Sequence, residues 1–126
     1  AEYGNYTNTL LNFYFEGAAG MQKMSDMMAA LRQNPPAEIS GLKVLTITDY
    51  KSRERLYTDS GKIEKIELPS SNVLSYALEG GNMAIVRPSG TEPKLKAYIT
   101  AVADTKVSAT KLMEKICEDV KRILGV

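Results

Sequence analysis

The sequence contains no histidine, no tryptophan and a single cysteine, Cys117. One cysteine excludes a disulfide within this chain, and without histidine there is no Cys/His set that could bind zinc. The most common general base is missing, so acid–base chemistry would require a carboxylate, a lysine, a tyrosine or the cysteine. Because unpaired cysteine fits a reducing compartment, we expect the protein to be cytoplasmic.

Long apolar runs and an excess of charge of one sign are also missing. Sixteen Lys and Arg residues balance fifteen Asp and Glu residues, which gives a net charge of +1. Binding to nucleic acid or to an anionic membrane requires a large basic excess, so we expect neither partner. No apolar run approaches the roughly 20 residues that span a bilayer, and we expect no signal peptide.

The length of 126 residues allows one domain with a core of ordinary size. Residues 1–8 show no clear periodicity, and the chain does not begin with methionine. We therefore expect a single domain, residues 1–126, that is truncated from a longer chain.

The hydrophobic pattern predicts an α+β fold: an antiparallel sheet of about four to five strands with two helices packed on one face, in the order β-α-β-β-β-β-α. Short extra strands near Tyr57 and Ile66 remain an open alternative. Glu79-Gly80-Gly81 predicts a hairpin, and Asp104 or Thr105 can cap the last helix. The predicted strands are residues 9–16, 42–49, 73–78, 82–86 and 95–102, and the predicted helices begin at Met21 and after Thr105.

The first predicted helix carries a stripe of apolar side chains at helical spacing, Met21, Met24, Met28 and Leu31. A methionine stripe can form a groove that binds a partner protein, but packing into the core is the favoured interpretation. Cys117 lies on the apolar face of the last helix, where we interpret it as a core residue rather than a nucleophile.

One stretch has the chemistry of an anion site: Arg87-Pro88-Ser89-Gly90-Thr91-Glu92-Pro93-Lys94, between two predicted strands. Gly90 permits the positive φ that lets successive N–H groups converge on one point. Ser89 and Thr91 bring hydroxyl donors, and the guanidinium of Arg87 matches phosphate oxygens. The alternative is a Gly/Pro loop that only reverses the chain.

Position by position, the run from Arg87 to Tyr98 resembles the phosphate-binding loop of the α-D-phosphohexomutases, the phosphoglucomutase and phosphomannomutase family, and most of all its bacterial phosphoglucomutases. The resemblance continues at Gly17-Ala18-Ala19-Gly20-Met21. It implies the last of the family's four domains, with a layout often grouped with the TATA-binding-protein-like fold. It also implies that Arg87, Ser89, Gly90, Thr91 and Lys96 bind the substrate's phosphate. Lys96 stands where relatives often have arginine, which keeps the charge but loses the bidentate fork.

The same resemblance implies an intact enzyme that interconverts glucose 1-phosphate and glucose 6-phosphate through a phosphoserine and a bisphosphorylated intermediate, with Mg²⁺. The family's phosphoserine loop, its metal loop and its sugar-discriminating loop have no counterpart in this sequence. We therefore expect no catalytic residue, no metal and no cofactor in this chain. The expected partners are a phosphosugar, bound through its phosphate, and the upstream domains of the same chain.

The sequence leaves two points open. A free-standing anion-binding or protein-interaction module without catalysis is the alternative function, and a nucleic-acid role is the least favoured. The sugar itself, whether glucose, mannose or another phosphosugar, would be selected by a loop outside these residues.

Overall fold

The computed structural model describes residues 5–15, 17, 19–89 and 93–124. Within these residues the chain forms eight β-strands and two α-helices. The strands are β1 (Asn5–Tyr14), β2 (Glu38–Ile39), β3 (Leu42–Asp49), β4 (Glu54–Tyr57), β5 (Ile63–Lys65), β6 (Leu74–Leu78), β7 (Met83–Pro88) and β8 (Lys94–Ala103), and the helices are α1 (Gly20–Gln33) and α2 (Lys106–Leu124).

The strands form one antiparallel sheet in the order β1-β8-β7-β6-β3-β4-β5, with β2 paired to β3. The predicted α+β class is confirmed, but the predicted count of four to five strands is wrong. The described part of the chain has eight strands. Two of the three additional strands, β4 and β5, form near Tyr57 and Ile66, where the sequence left short extra strands open. The third, β2, has two residues and forms through pairing with β3, which a local pattern does not reveal.

The hydrophobic core lies on one face of the sheet. Along β8, the side chains of Leu95, Ala97, Ile99 and Ala101 are buried, whereas Tyr98 between them is exposed. Successive side chains of a strand point to opposite faces, so the odd-numbered residues of β8 define the inner face of the sheet. The buried residues of both helices belong to the same core cluster as this face.

The helices present the apolar stripes that their spacing predicts. In α1, Met24, Met28 and Leu31 are buried, whereas Met21 is 44% exposed. Two of the stripe's methionines therefore pack in the core and are not available for a partner groove. In α2, Cys117 is buried among core residues, and burial raises the pKa of its thiol. The thiol therefore stays protonated at neutral pH, which agrees with a core role.

The first turn of α2 is capped by Thr105. The Ser108 N–H donates to the Thr105 hydroxyl oxygen at 3.1 Å, which satisfies one of the free backbone donors at the helix start. Of the two residues that the sequence offered as caps, Thr105 makes this bond.

The predicted hairpin between β6 and β7 is present, and a buried asparagine fixes it. Gly80 and Gly81 have φ values of 76° and 83°, a conformation that side chains other than glycine rarely adopt. The side chain of Asn82 is buried, with its Nδ2 donating to the Glu79 carbonyl at 2.7 Å. The Val102 N–H donates to Asn82 Oδ1 at 2.7 Å, which ties the turn to β8.

Candidate anion-binding site

Arg87 and Lys96 lie directly opposite each other in the ladder between β7 and β8. Their neighbours Val86 and Ala97 face the core, so these two basic side chains leave the other face of the sheet. Arg87 is exposed and Lys96 is half-buried. Within the described residues, neither side chain has a carboxylate partner. Two positive charges at directly opposed positions repel each other, and an anion between them would remove that cost.

The loop between the two strands is closed at its base by a backbone hydrogen bond. The Ser89 N–H donates to the Lys94 carbonyl at 2.8 Å. Ser89 is therefore placed at the mouth of the loop, directly after the strand that carries Arg87. Gly90 and Thr91, the other two predicted phosphate contacts, lie outside the described residues.

A third basic residue, Lys94, lies on the same sheet face as Lys96. Its Nζ lies 5.6 Å from the centre of the Tyr14 ring, a cation–π distance that directs the side chain toward β1. Arg87, Lys94 and Lys96 therefore place three positive charges around the base of the loop, but Lys94 is engaged with an aromatic ring.

The loop rests against the start of α1, and Gly20 allows the close contact. A methyl group at position 20 would lie 2.7 Å from the Phe15 carbonyl oxygen and 3.0 Å from Cβ of Pro93. The Phe15 N–H also donates to the Pro93 carbonyl at 2.8 Å. Sequence reasoning noted Gly20 as part of a resemblance and missed this positioning role. The signal that could have indicated this role is the presence of glycine, rather than a residue with a side chain, at the start of α1.

A cavity of about 380 Å³ opens beside the loop. One wall is formed by residues 87–89, a second by residues 71–73 before β6, and a third by Met21, Met24 and Ser25 of α1. Lys96 does not line it, so the cavity extends from the Arg87 side of the loop. Among the residues that the structure describes, no acidic side chain lines the cavity, and these walls therefore suit an anionic ligand.

Two other cavities do not fit an anion. One of about 230 Å³ lies beside the Arg32–Asp49 ion pair, and its walls include Ile47, Leu56 and Ile63. A larger, open depression runs along α2, where Lys111 and Lys115 alternate with acidic residues such as Glu114. Mixed charges of this kind do not select an anion.

The described residues contain no group of three or more carboxylate or Cys side chains that could hold a metal ion. The donor set of this part of the chain therefore does not fit Mg²⁺, which requires oxygen ligands converging on one point. None of the described helices has the length and apolar character that crossing a membrane would require.

Residues 27–119 match the family model described as "Phosphoglucomutase/phosphomannomutase, C-terminal domain". The chain belongs to this family. The matched segment contains the whole loop, both opposed basic residues and the cavity wall before β6. The predicted membership in the phosphoglucomutase and phosphomannomutase family is therefore confirmed.

Curated phosphoglucomutases are among the relatives of this chain. The protein of Staphylococcus haemolyticus is 41% identical over 103 residues, which cover 82% of this chain and 19% of that protein. The protein of Staphylococcus aureus strain USA300 is 41% identical over 97 residues, which cover 77% of this chain and 17% of that protein. The chain thus spans less than one fifth of the length of these relatives.

One solved structure supports the fold. The crystal structure of the exocytosis-sensitive phosphoprotein pp63/parafusin, a phosphoglucomutase from Paramecium in its open form, has a TM-score of 0.56 at 14% sequence identity. The superposition covers 96% of this chain and 20% of the Paramecium chain. The architecture is therefore that of one segment of a larger phosphoglucomutase.

Proposed function

We propose that this chain is the substrate-phosphate-binding domain of a phosphoglucomutase that interconverts glucose 1-phosphate and glucose 6-phosphate. The observation that carries the proposal is the directly opposed pair Arg87 and Lys96 at the base of the loop. Neither has an acidic partner among the described residues. Ser89, with Gly90 and Thr91, would complete the contacts to the phosphate group that is not being transferred.

The energetics favour a site that is shared with other domains. Each charge-assisted hydrogen bond to a phosphate contributes about 1.5–3 kcal/mol. Loss of translational and rotational freedom offsets at least about 4 kcal/mol of that gain. A few such bonds therefore give a dissociation constant on the order of 1 mM. A domain with this affinity is useful when other parts of an enzyme hold the same ligand.

The remaining parts of the reaction belong, in this proposal, to the upstream domains of the cytoplasmic parent enzyme. These domains would supply the phosphoserine, the Mg²⁺ and the loop that selects the sugar. The chain itself, residues 1–126, would act as the fourth and C-terminal domain. The staphylococcal relatives, of whose lengths the matched segments cover only 19% and 17%, support this division.

A titration of the ¹⁵N-labelled chain with inorganic phosphate, followed by NMR, tests the proposal. We expect shifts of the Ser89 and Lys96 amides, and at least about tenfold weaker binding in Arg87→Ala because one charge-assisted bond is lost. Arg53→Ala, which removes an exposed arginine in the turn before β4, is the matched control and should bind like the wild type. Equal binding by wild type and Arg87→Ala would contradict the proposal.

A further inference from the structure

The cavity beside the loop is larger than a phosphate group requires. Its volume of about 380 Å³ lies in the ~300–1,000 Å³ range of small-molecule sites. Beyond residues 87–89 its walls carry three uncharged polar side chains, Ser25, Ser71 and Asn72. These side chains come from two segments that are far apart in the sequence and that converge beside the loop. The cavity therefore has a polar wall that the phosphate itself would not use.

Asn72 is held in place by a chain of side-chain contacts. Arg32 Nη2 donates to Asn72 Oδ1 at 2.6 Å, and the same guanidinium donates to Asp49 through Nε at 3.0 Å and Nη2 at 3.3 Å. The amide oxygen of Asn72 is therefore occupied, and the group that Asn72 can offer to the cavity is its Nδ2. A fixed amide donor is the kind of group that recognises a hydroxyl oxygen.

We propose that this cavity holds the sugar of the phosphosugar whose phosphate binds at Arg87 and Ser89. Asn72 Nδ2 donates to a sugar hydroxyl, the Ser25 and Ser71 hydroxyls exchange hydrogen bonds with others, and Arg32 is a positioning residue. The inference rests on the proposed function and assigns sugar-contacting residues to the same site, in addition to the upstream loop that selects the sugar.

The chemistry of the wall matches a sugar in two respects. Sugar hydroxyls both donate and accept, and serine hydroxyls do the same because their hydrogen rotates freely. The apolar lining, Met21 and Val73, can cover the C–H faces of the ring. A wall of rotating hydroxyls can also form hydrogen bonds with a sugar in more than one orientation.

Titrations with inorganic phosphate, glucose 1-phosphate and unphosphorylated glucose test the inference. The readout is the ratio of the dissociation constants of inorganic phosphate and glucose 1-phosphate. We expect wild type to bind glucose 1-phosphate about threefold to tenfold more tightly than inorganic phosphate, the value of one net hydrogen bond or slightly more. In Asn72→Ala this ratio should fall to about one, with inorganic phosphate bound as in wild type.

Two further variants make the result independent of folding defects. Ser25 is exposed on α1, and Ser25→Ala favours the helix, so this variant should fold and still lose part of the ratio. Arg32→Gln should lower the ratio without changing phosphate affinity, because it releases Asn72 without touching the ligand. Asn34→Ala, an exposed asparagine just after α1, is the matched control and should keep the wild-type ratio.

The outcomes separate the two proposals. An unchanged ratio in both Asn72→Ala and Ser25→Ala would overturn the proposal that the cavity holds the sugar. If Arg87→Ala still weakened the binding of both phosphate ligands, the proposed phosphate site would be unaffected. If the wild type bound neither inorganic phosphate nor glucose 1-phosphate, both the proposed phosphate site and the proposed sugar contacts would be overturned.

Discussion

Gly20 is the residue on which the placement of the loop depends most directly. The space for a side chain at position 20 is already occupied by the Phe15 carbonyl oxygen and by Pro93. Pro93 lies at the end of the loop, so any displacement there reaches the loop itself. Because glycine has no Cβ, the start of α1 can pack directly against the end of the loop.

Gly20→Ala should destabilise the protein and weaken phosphate binding together. In a free helix, alanine is preferred to glycine by about 1 kcal/mol. Here the methyl group would approach a backbone oxygen to 2.7 Å, and overpacking of this kind costs about 1–3 kcal/mol. We expect the cost of this clash to exceed the gain in helix propensity. Chemical denaturation would measure the loss of stability, and a phosphate titration would measure the loss of affinity.

Gly61→Ala is the matched control for that experiment. Gly61 has a φ of +74° and open space around it, so alanine there costs about 1–2 kcal/mol through backbone strain alone. Its phosphate affinity should be that of the wild type. Gly20→Ala that is stable and binds phosphate normally would show that the contact with Pro93 does not position the loop.

At the scale of elements, Asp119 ties α2 to the turn between β2 and β3. Its carboxylate accepts from the Ser40 N–H at 2.6 Å and from Arg122 Nε at 2.7 Å. Ser40 has a positive φ of 55°, so this bond holds a residue in an uncommon conformation. The Arg122 side chain and the Ser40 N–H lower the pKa of Asp119 below its ordinary value.

The lowered pKa of Asp119 predicts a pH dependence of stability. A carboxyl group with a lower pKa in the folded protein stabilises it above the unfolded value of about 3.8, and this contribution is lost as pH falls through the folded pKa. We expect Asp119→Ala to lower the free energy of unfolding by about 1–2 kcal/mol at neutral pH. The difference from wild type should shrink below pH 4 in thermal denaturation curves.

Arg122→Ala separates the two partners of Asp119. It removes an exposed ion pair, worth about 0–1 kcal/mol, and keeps the bond to Ser40. We therefore expect it to be the milder variant at neutral pH. If Arg122→Ala destabilised as much as Asp119→Ala, the bond to the turn would contribute nothing.

Strands and helices with a strong hydrophobic periodicity could be predicted from the sequence. Short strands that form only by pairing with a neighbouring strand are not defined by such a pattern. The alternation of Leu95, Ala97, Ile99 and Ala101 predicted β8 and its buried face, because one side of that strand meets the helices. β5 is exposed at all three residues, so no burial pattern supports it, and the sequence offered a strand near Ile66 only as an alternative. Its position follows from the ladder with β4, which depends on the tertiary fold.

The site divides in the same way. The sequence shows that Arg87 and Lys96 flank one loop because they lie close together in it, and their role in binding a phosphate stays a prediction. The direct opposition of these two residues follows from the register of β7 and β8, which the sequence does not state. The position of Asn72 could not be predicted, since its contact with Arg32 joins residues 40 positions apart.

At the scale of the whole molecule, the proposed function gives the chain one side of a shared site. Its described residues offer a candidate anion site and a polar cavity, but no cluster of carboxylates for a metal. The sequence has no histidine to act as a base. A phosphoryl transfer needs a nucleophile and stabilisation of the transferred group in addition to a bound substrate. In the proposed function, the groups that perform the transfer therefore belong to the other domains of the enzyme.

We accordingly expect the purified chain to show no conversion of glucose 1-phosphate to glucose 6-phosphate in a coupled dehydrogenase assay, although it binds phosphate on the order of 1 mM. Traces of a host phosphoglucomutase would imitate activity, and Arg87→Ala purified in the same way is the control. Turnover that is equal in both preparations comes from the host. Turnover that Arg87→Ala abolishes would belong to this chain and would place catalytic groups within its 126 residues.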